Sequence, residues 1–146
     1  MSSSVEVQIV IDAVSPAVLS EFWSVALGYQ LDDPPPGFET WPEALAAADL
    51  PPERWDDASA IVDPHGPGPR VFFQKVPERK QVKNRLHLDV GVGRGIKDPQ
   101  ERWETVMTHV ERLVGAGGTV VEERHGEWGE RWTVMLDPEG NEFCVQ

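Results

Sequence analysis

The chain has 146 residues, 40% hydrophobic and 26% charged, which is the size and mixture of one globular domain. Its 25 acidic residues against 13 basic ones give a formal net charge of -12, and no lysine- or arginine-rich stretch offsets that field. Nucleic acid and anionic lipid surfaces, which need a basic footprint, are thereby excluded as expected partners, and a neutral or cationic small organic ligand is favoured.

Met1-Ser2-Ser3-Ser4 leads into an alternating segment instead of a charged region followed by an apolar one, and no apolar run approaches a membrane span. Neither export nor a membrane partner is expected. From Val5, the residues Val5, Val7, Ile9 and Ile11 alternate with Glu6, Gln8, Val10 and Asp12, the pattern of a half-buried strand. Ser15-Pro16 then predicts a helix start, with Ser15 as N-cap, and Leu19, Phe22, Trp23, Ala26 and Leu27 form an apolar stripe that stops at Gly28. Residues 32–57, with a proline run and an alanine-rich segment over 42–49, read as an insertion holding its own short helix. Loops of this length inside compact domains tend to be lids or binding loops, and Phe38, Trp41 and Trp55 supply apolar anchors here. A strand-like run over 59–62 enters the turn Asp63-Pro64-His65-Gly66, and a closing strand follows over 70–76.

The same order returns. Leu86, Leu88, Val90 and Val92 alternate with His87, Asp89 and Gly91. Asp98-Pro99-Gln100-Glu101 reads as a capping box opening a helix, whose stripe is Trp103, Val106, Val110, Leu113 and Val114. A strand-like run over 133–136 enters Asp137-Pro138-Glu139-Gly140, and a closing strand follows over 141–145. Each half is therefore read as strand, helix and about three strands. The fold class is α+β: two tandem βαβββ modules, about 5–77 and 84–146, in a single domain over 1–146. If the odd-numbered apolar residues of the first strand face its helix, Gln8 and Asp12 point away from it, as His87 and Asp89 do in the second half. Half-sheets joined side by side, with helices outside, would make a cupped mixed sheet lined by these polar side chains, the kind of concavity that holds ligands.

This duplicated order resembles the vicinal-oxygen-chelate superfamily of glyoxalases, bleomycin-resistance proteins and extradiol dioxygenases. The stretches that carry the resemblance are Phe73-Gln74-Lys75-Val76-Pro77-Glu78, Lys83-Asn84-Arg85-Leu86-His87-Leu88-Asp89, and 136–144 from Leu136-Asp137-Pro138 to Phe143-Cys144. Both halves are similar to its glyoxalase-like branch, and members of the superfamily often pair, so a homodimer is the expectation the resemblance carries. In metal-dependent members each half gives one ligand from its first strand, commonly histidine, and one from its last, commonly glutamate. Aligning the repeats sets Gln8 opposite His87 and Gln74 opposite Cys144, so His87 alone keeps the usual ligand type. Amide oxygen is a weak neutral donor and thiolate a soft one, an unpromising set for iron, manganese or magnesium. Glu142, two residues from Cys144 and on the same strand face, is the carboxylate that a displaced site would recruit.

Two readings follow. In the first, a metal-free pocket binds a small organic molecule through Gln8, Gln74, His87 and Cys144, with Trp41, Trp55 and Trp128 near its mouth. In the second, one divalent ion held by His87, Gln8, Gln74 and Glu142 serves a lyase, isomerase or dioxygenase acting on vicinal oxygens. The lone Cys144 cannot form an intrachain disulfide, which suits a cytoplasmic location.

Overall fold

The computed structural model describes residues 4–146; the leader reading of Met1-Ser2-Ser3 lies outside the described residues. The element order is β1 (Ile9–Ala13), α1 (Pro16–Leu27), β2 (Gln30–Leu31), α2 (Trp41–Ala47), a 3-10 turn (Pro52–Arg54), β3 (Ala58–Val62), β4 (Val71–Lys75), β5 (Asp89–Val90), α3 (Pro99–Gly115), β6 (Thr119–His125), β7 (Arg131–Leu136) and β8 (Glu142–Val145). Strand, helix and three strands occur twice, as the repeated pattern predicts. By their contacts the residues fall into two units, one holding Ser4–Ser24 and Gly28–Arg79, the other Val25–Leu27 and Lys80–Gln146. Among the described residues no helix is long and apolar enough to cross a membrane.

Each unit has its own four-stranded mixed sheet, with orders β1-β4-β3-β2 and β5-β8-β7-β6. In each, the first strand lies parallel to the last and the remaining pairings are antiparallel. In the first unit, α1 buries Leu19, Phe22 and Trp23, and its Ser20 hydroxyl accepts a 2.9 Å hydrogen bond from Ser59 of β3. Ser59 is level with Phe73, so Ile9, Ile11, Ile61, Val71 and Phe73 share the α1 side of the sheet. In the second unit α3 buries Val106, Val110 and Leu113, while Met135, Phe143 and Val145 supply the sheet's side of the core. Arg131, on the same face as Met135 by strand parity, stacks on Trp103 of α3, which fixes that face as the helix side.

Two helix starts differ in kind. Asp98 caps α3 by accepting from the Glu101 amide at 2.8 Å, as the capping box predicts. Ser15 occupies the N-cap of α1 but makes no capping bond with its side chain. Asp56, from the insertion, takes that part: its carboxylate accepts from the Ala17 amide at 2.7 Å and from the Ser15 hydroxyl at 3.2 Å.

Both opening strands are shorter than their alternation predicts. β1 starts at Ile9, leaving Val5 88% and Val7 68% exposed, because its partner β4 begins only at Val71. β5 is reduced to Asp89–Val90, so Leu86 and His87 lie outside the strand and are exposed.

Candidate functional site

On the face of the first sheet turned from α1, the register sets Val10 beside Phe72 and Asp12 beside Gln74. Immediately before the paired strands, Arg70 gathers three neighbours. Its guanidinium donates to the Gln8 side-chain oxygen at 2.9 Å, pairs with Asp32 at 3.0 Å, and lies 5.6 Å over the Phe72 ring. The indole of Trp41 donates to the Asp32 carbonyl at 2.7 Å, so the insertion helix is tied to this cluster and its ring stays 38% exposed. One row further along, the Gln74 amide donates to Asp12 at 2.7 Å. Trp55 instead donates its indole N–H to the Leu50 carbonyl at 2.9 Å and is half-buried, an anchor for the insertion's own backbone.

On the face of the second sheet turned from α3, Asp89, Cys144, Val134 and Glu122 stand in one register row. Burial pushes the Cys144 thiol up from its ordinary value, and the neighbouring Asp89 carboxylate, which accepts its hydrogen, adds to that shift against weaker opposition from Arg124 and Lys83. At neutral pH the sulfur carries its proton and is a poor nucleophile. Glu142 is fully engaged: Lys80 holds one oxygen at 3.0 Å and the Asn84 amide the other at 2.9 Å. Partial desolvation raises its pKa, but the Asn84 and Lys80 contacts outweigh that and hold it at about 2. His87 is exposed and has no hydrogen-bond partner among the described residues, and Trp128, at a hairpin tip, is 92% exposed.

The ladders give a different correspondence from the repeat alignment. Since Gln74 is level with Asp12 and Cys144 with Asp89, Asp12 corresponds to Asp89, Val10 to His87, and Gln8 to Arg85. A shift of two residues preserves strand parity, so alternation in the sequence is the same either way. The sequence also passed over Arg70, Asp32 and Phe72. The alternation Arg70, Phe72, Gln74 along the closing strand was the available signal, because a face containing Gln74 must contain the other two.

The donor set does not suit the metal that the family resemblance implies. The Gln8 oxygen accepts from Arg70, the Gln74 amide N–H is turned to Asp12, and each Glu142 oxygen already accepts from Lys80 or Asn84. Among the described residues no group of three or more His, Cys, Asp or Glu side chains stands ready to hold an ion.

Two module-sized mixed sheets of identical strand order are the architecture of a glyoxalase-like fold, and the chain belongs to that family: the model of the glyoxalase-like domain matches residues 8–146. Among solved structures it is similar to a glyoxalase/bleomycin resistance protein/dioxygenase family enzyme from Burkholderia phytofirmans PsJN, at 17% identity over 94% of both chains and a TM-score of 0.59. It is similar to the bleomycin-binding protein of bleomycin-producing Streptomyces verticillus, solved with copper(II)-bleomycin, at 15% identity over 100% and 98% of the two chains and a TM-score of 0.53. It also resembles the fosfomycin resistance protein FosX from Mesorhizobium loti, at 9% identity over 100% and 92% and a TM-score of 0.58. No curated protein matches the chain.

Proposed function

We propose that this glyoxalase-like protein binds a small organic molecule without the metal ion of its catalytic relatives, as a single cytoplasmic domain that pairs into a homodimer. The observation that carries the reading is the engagement of the expected oxygen donors Gln8 and Glu142 by partners within their own unit, the Gln8 oxygen by Arg70 and both Glu142 oxygens by Lys80 and Asn84, with Gln74 tied to Asp12 through its amide N–H. The ligand rests on the Arg70 cluster of the first unit, where Phe72 and Trp41 offer aromatic surface and Gln8 and Asp32 offer polar anchors. A planar ring matches that composition. Bleomycin binding and fosfomycin resistance in two relatives of this fold support the choice of a small antibiotic-like molecule or metabolite.

The test has two arms. Quenching of tryptophan fluorescence by a panel of aromatic antibiotics and metabolites is expected to be saturable, with affinity about tenfold weaker in Arg70→Ala and reduced in Trp41→Phe. Metal content is measured after stripping and reloading with zinc, manganese, iron, nickel and cobalt in turn. Less than a tenth of an equivalent is expected. One bound equivalent that disappears in His87→Ala would overturn the proposal in favour of a metal-dependent lyase, isomerase or dioxygenase.

A further inference from the structure

A second concavity lies wholly within the second unit, on the helix side of its sheet. It is an open cleft of about 1170 Å³ between the first turns of α3 and the ends of β5, β7 and β8, and none of the residues of the Arg70 cluster lines it. β5 and β8 run parallel and the cleft sits beyond their carboxyl ends, where a loop climbs to a helix start, a position that open sheets use for ligands.

The wall has a defined chemistry. Gly91, Gly93 and Gly95 carry the chain from β5 towards α3 and present backbone to the cleft. A Cβ on Gly93 would stand 2.6 Å from the Arg102 side chain, so glycine is what lets this loop lie against the helix. Opposite, the Arg131 guanidinium lies 3.7 Å above the Trp103 ring and forms a flat cationic surface. The lining also carries Glu104, Glu130, Arg102 and Arg94, and three of these four make hydrogen bonds, while the neighbouring Asp89 stands beside Cys144 on the sheet's other face. Glu104 accepts from Gln100, Glu130 accepts from the Trp128 amide, and Arg102 donates to the Ile96 carbonyl. Arg131 itself is paired with Glu123. The Arg94 guanidinium is exposed and has no partner among the described residues.

We propose that this cleft is a second binding site and that it takes a planar aromatic anion, its ring stacked on the Arg131–Trp103 pair and its anionic group held by Arg94. Each lining carboxylate accepts a single neutral hydrogen bond and keeps its charge, but the guanidiniums of Arg94, Arg102 and Arg131 outnumber Glu104 and Glu130 along this wall. The Arg94 side chain makes no hydrogen bond among the described residues, so an anion meets a free guanidinium. Carboxylate and phosphate share this chemistry, and the experiment separates them.

The full-length protein is titrated with naphthalene-2-carboxylate, adenosine monophosphate and the uncharged 2-naphthamide, followed by amide and indole NMR shifts. One of the two anions is expected to give saturable shifts at the Gly91, Gly93 and Gly95 amides and the Trp103 indole. Arg94→Ala should weaken binding about tenfold or more, with partial recovery in Arg94→Lys. Saturation by the naphthoate alone assigns the site to carboxylates, and by the nucleotide alone to phosphates. Absence of saturable shifts with either anion at millimolar concentration overturns the proposal. So does equal binding of 2-naphthamide, or an unchanged affinity in Arg94→Ala. Arg70→Ala, which disables the site in the first unit, should leave these shifts in place; their loss would show that the probe reports on that site instead.

Discussion

Glu142 and Thr133 show how single side chains in the second unit bear on stability in opposite senses. The Glu142 carboxyl is held at about 2 against an ordinary 4.5 by Asn84 and Lys80. A depressed carboxyl contributes stability above its unfolded value and loses it as pH falls through the folded one. Acid titration of the folded protein should therefore show a loss of about 2 kcal/mol between pH 4.5 and pH 2. Glu142→Gln should flatten that part of the curve in urea denaturation followed at several pH values. Thr133 is 2% exposed and its buried hydroxyl has no hydrogen-bond partner among the described residues. Replacing such a hydroxyl by a methyl of the same shape removes a desolvation cost and no bond. Thr133→Val is expected to raise stability by about 1 kcal/mol, read as a higher urea midpoint with an unchanged slope.

Among the elements, the helices were the most legible. The stripes of α1 and α3 and the Asp98 capping box follow from local spacing, and the structure buries Leu19, Phe22, Trp23 and Ala26 and Val106, Val110 and Leu113 as that spacing indicates. Val114 of the predicted α3 stripe stays 48% exposed. The cap of α1 was not legible, because its acceptor comes from Asp56, 39 residues from the Ala17 amide it serves. Asp56→Ala should cost about 1 kcal/mol and Ser15→Ala less, since the serine hydroxyl donates to Asp56 and does not cap; thermal unfolding of both variants checks the ranking. Strand lengths failed for a related reason. Val5 and Val7 continue the alternation of β1, but alternation states only which face a residue would take, and a strand ends where its partner does. The site suffered most. Gln8 and His87 share parity with Asp12 and Asp89, and only the ladders show which pair stands level with Gln74 and Cys144.

At the scale of the whole molecule, the duplication was readable because each module repeats its elements in order, and the two strand orders match element for element. Composition was less informative. A net charge of -12 points to a neutral or cationic ligand, yet the exposed, unpartnered charge in the second unit's cleft is the cation Arg94. A bulk field averages over the surface, whereas a binding wall is made by the few groups that face it. The two proposed sites consequently differ in salt response: raising ionic strength should weaken an anion at Arg94 several-fold while affecting a neutral ring at Phe72 and Trp41 little. Isothermal titration at two salt concentrations measures the difference.

The pairing of first strand with last has a consequence for how the protein is made. β4 sits between β1 and β3, and β8 between β5 and β7, so the strand that joins each sheet together is the last of its module to be synthesised. As the ribosome extends the chain, β1 waits until Gln74, 62 residues beyond Asp12, has emerged before it gains a neighbour. Closing so long a loop is slow and leaves the early strand's edge bare in the meantime. Each module is thus committed late and at one stroke. A nascent chain halted just before β8 would carry a first module able to complete its ladder and a second with neither its parallel pair nor the strand that links it to the rest.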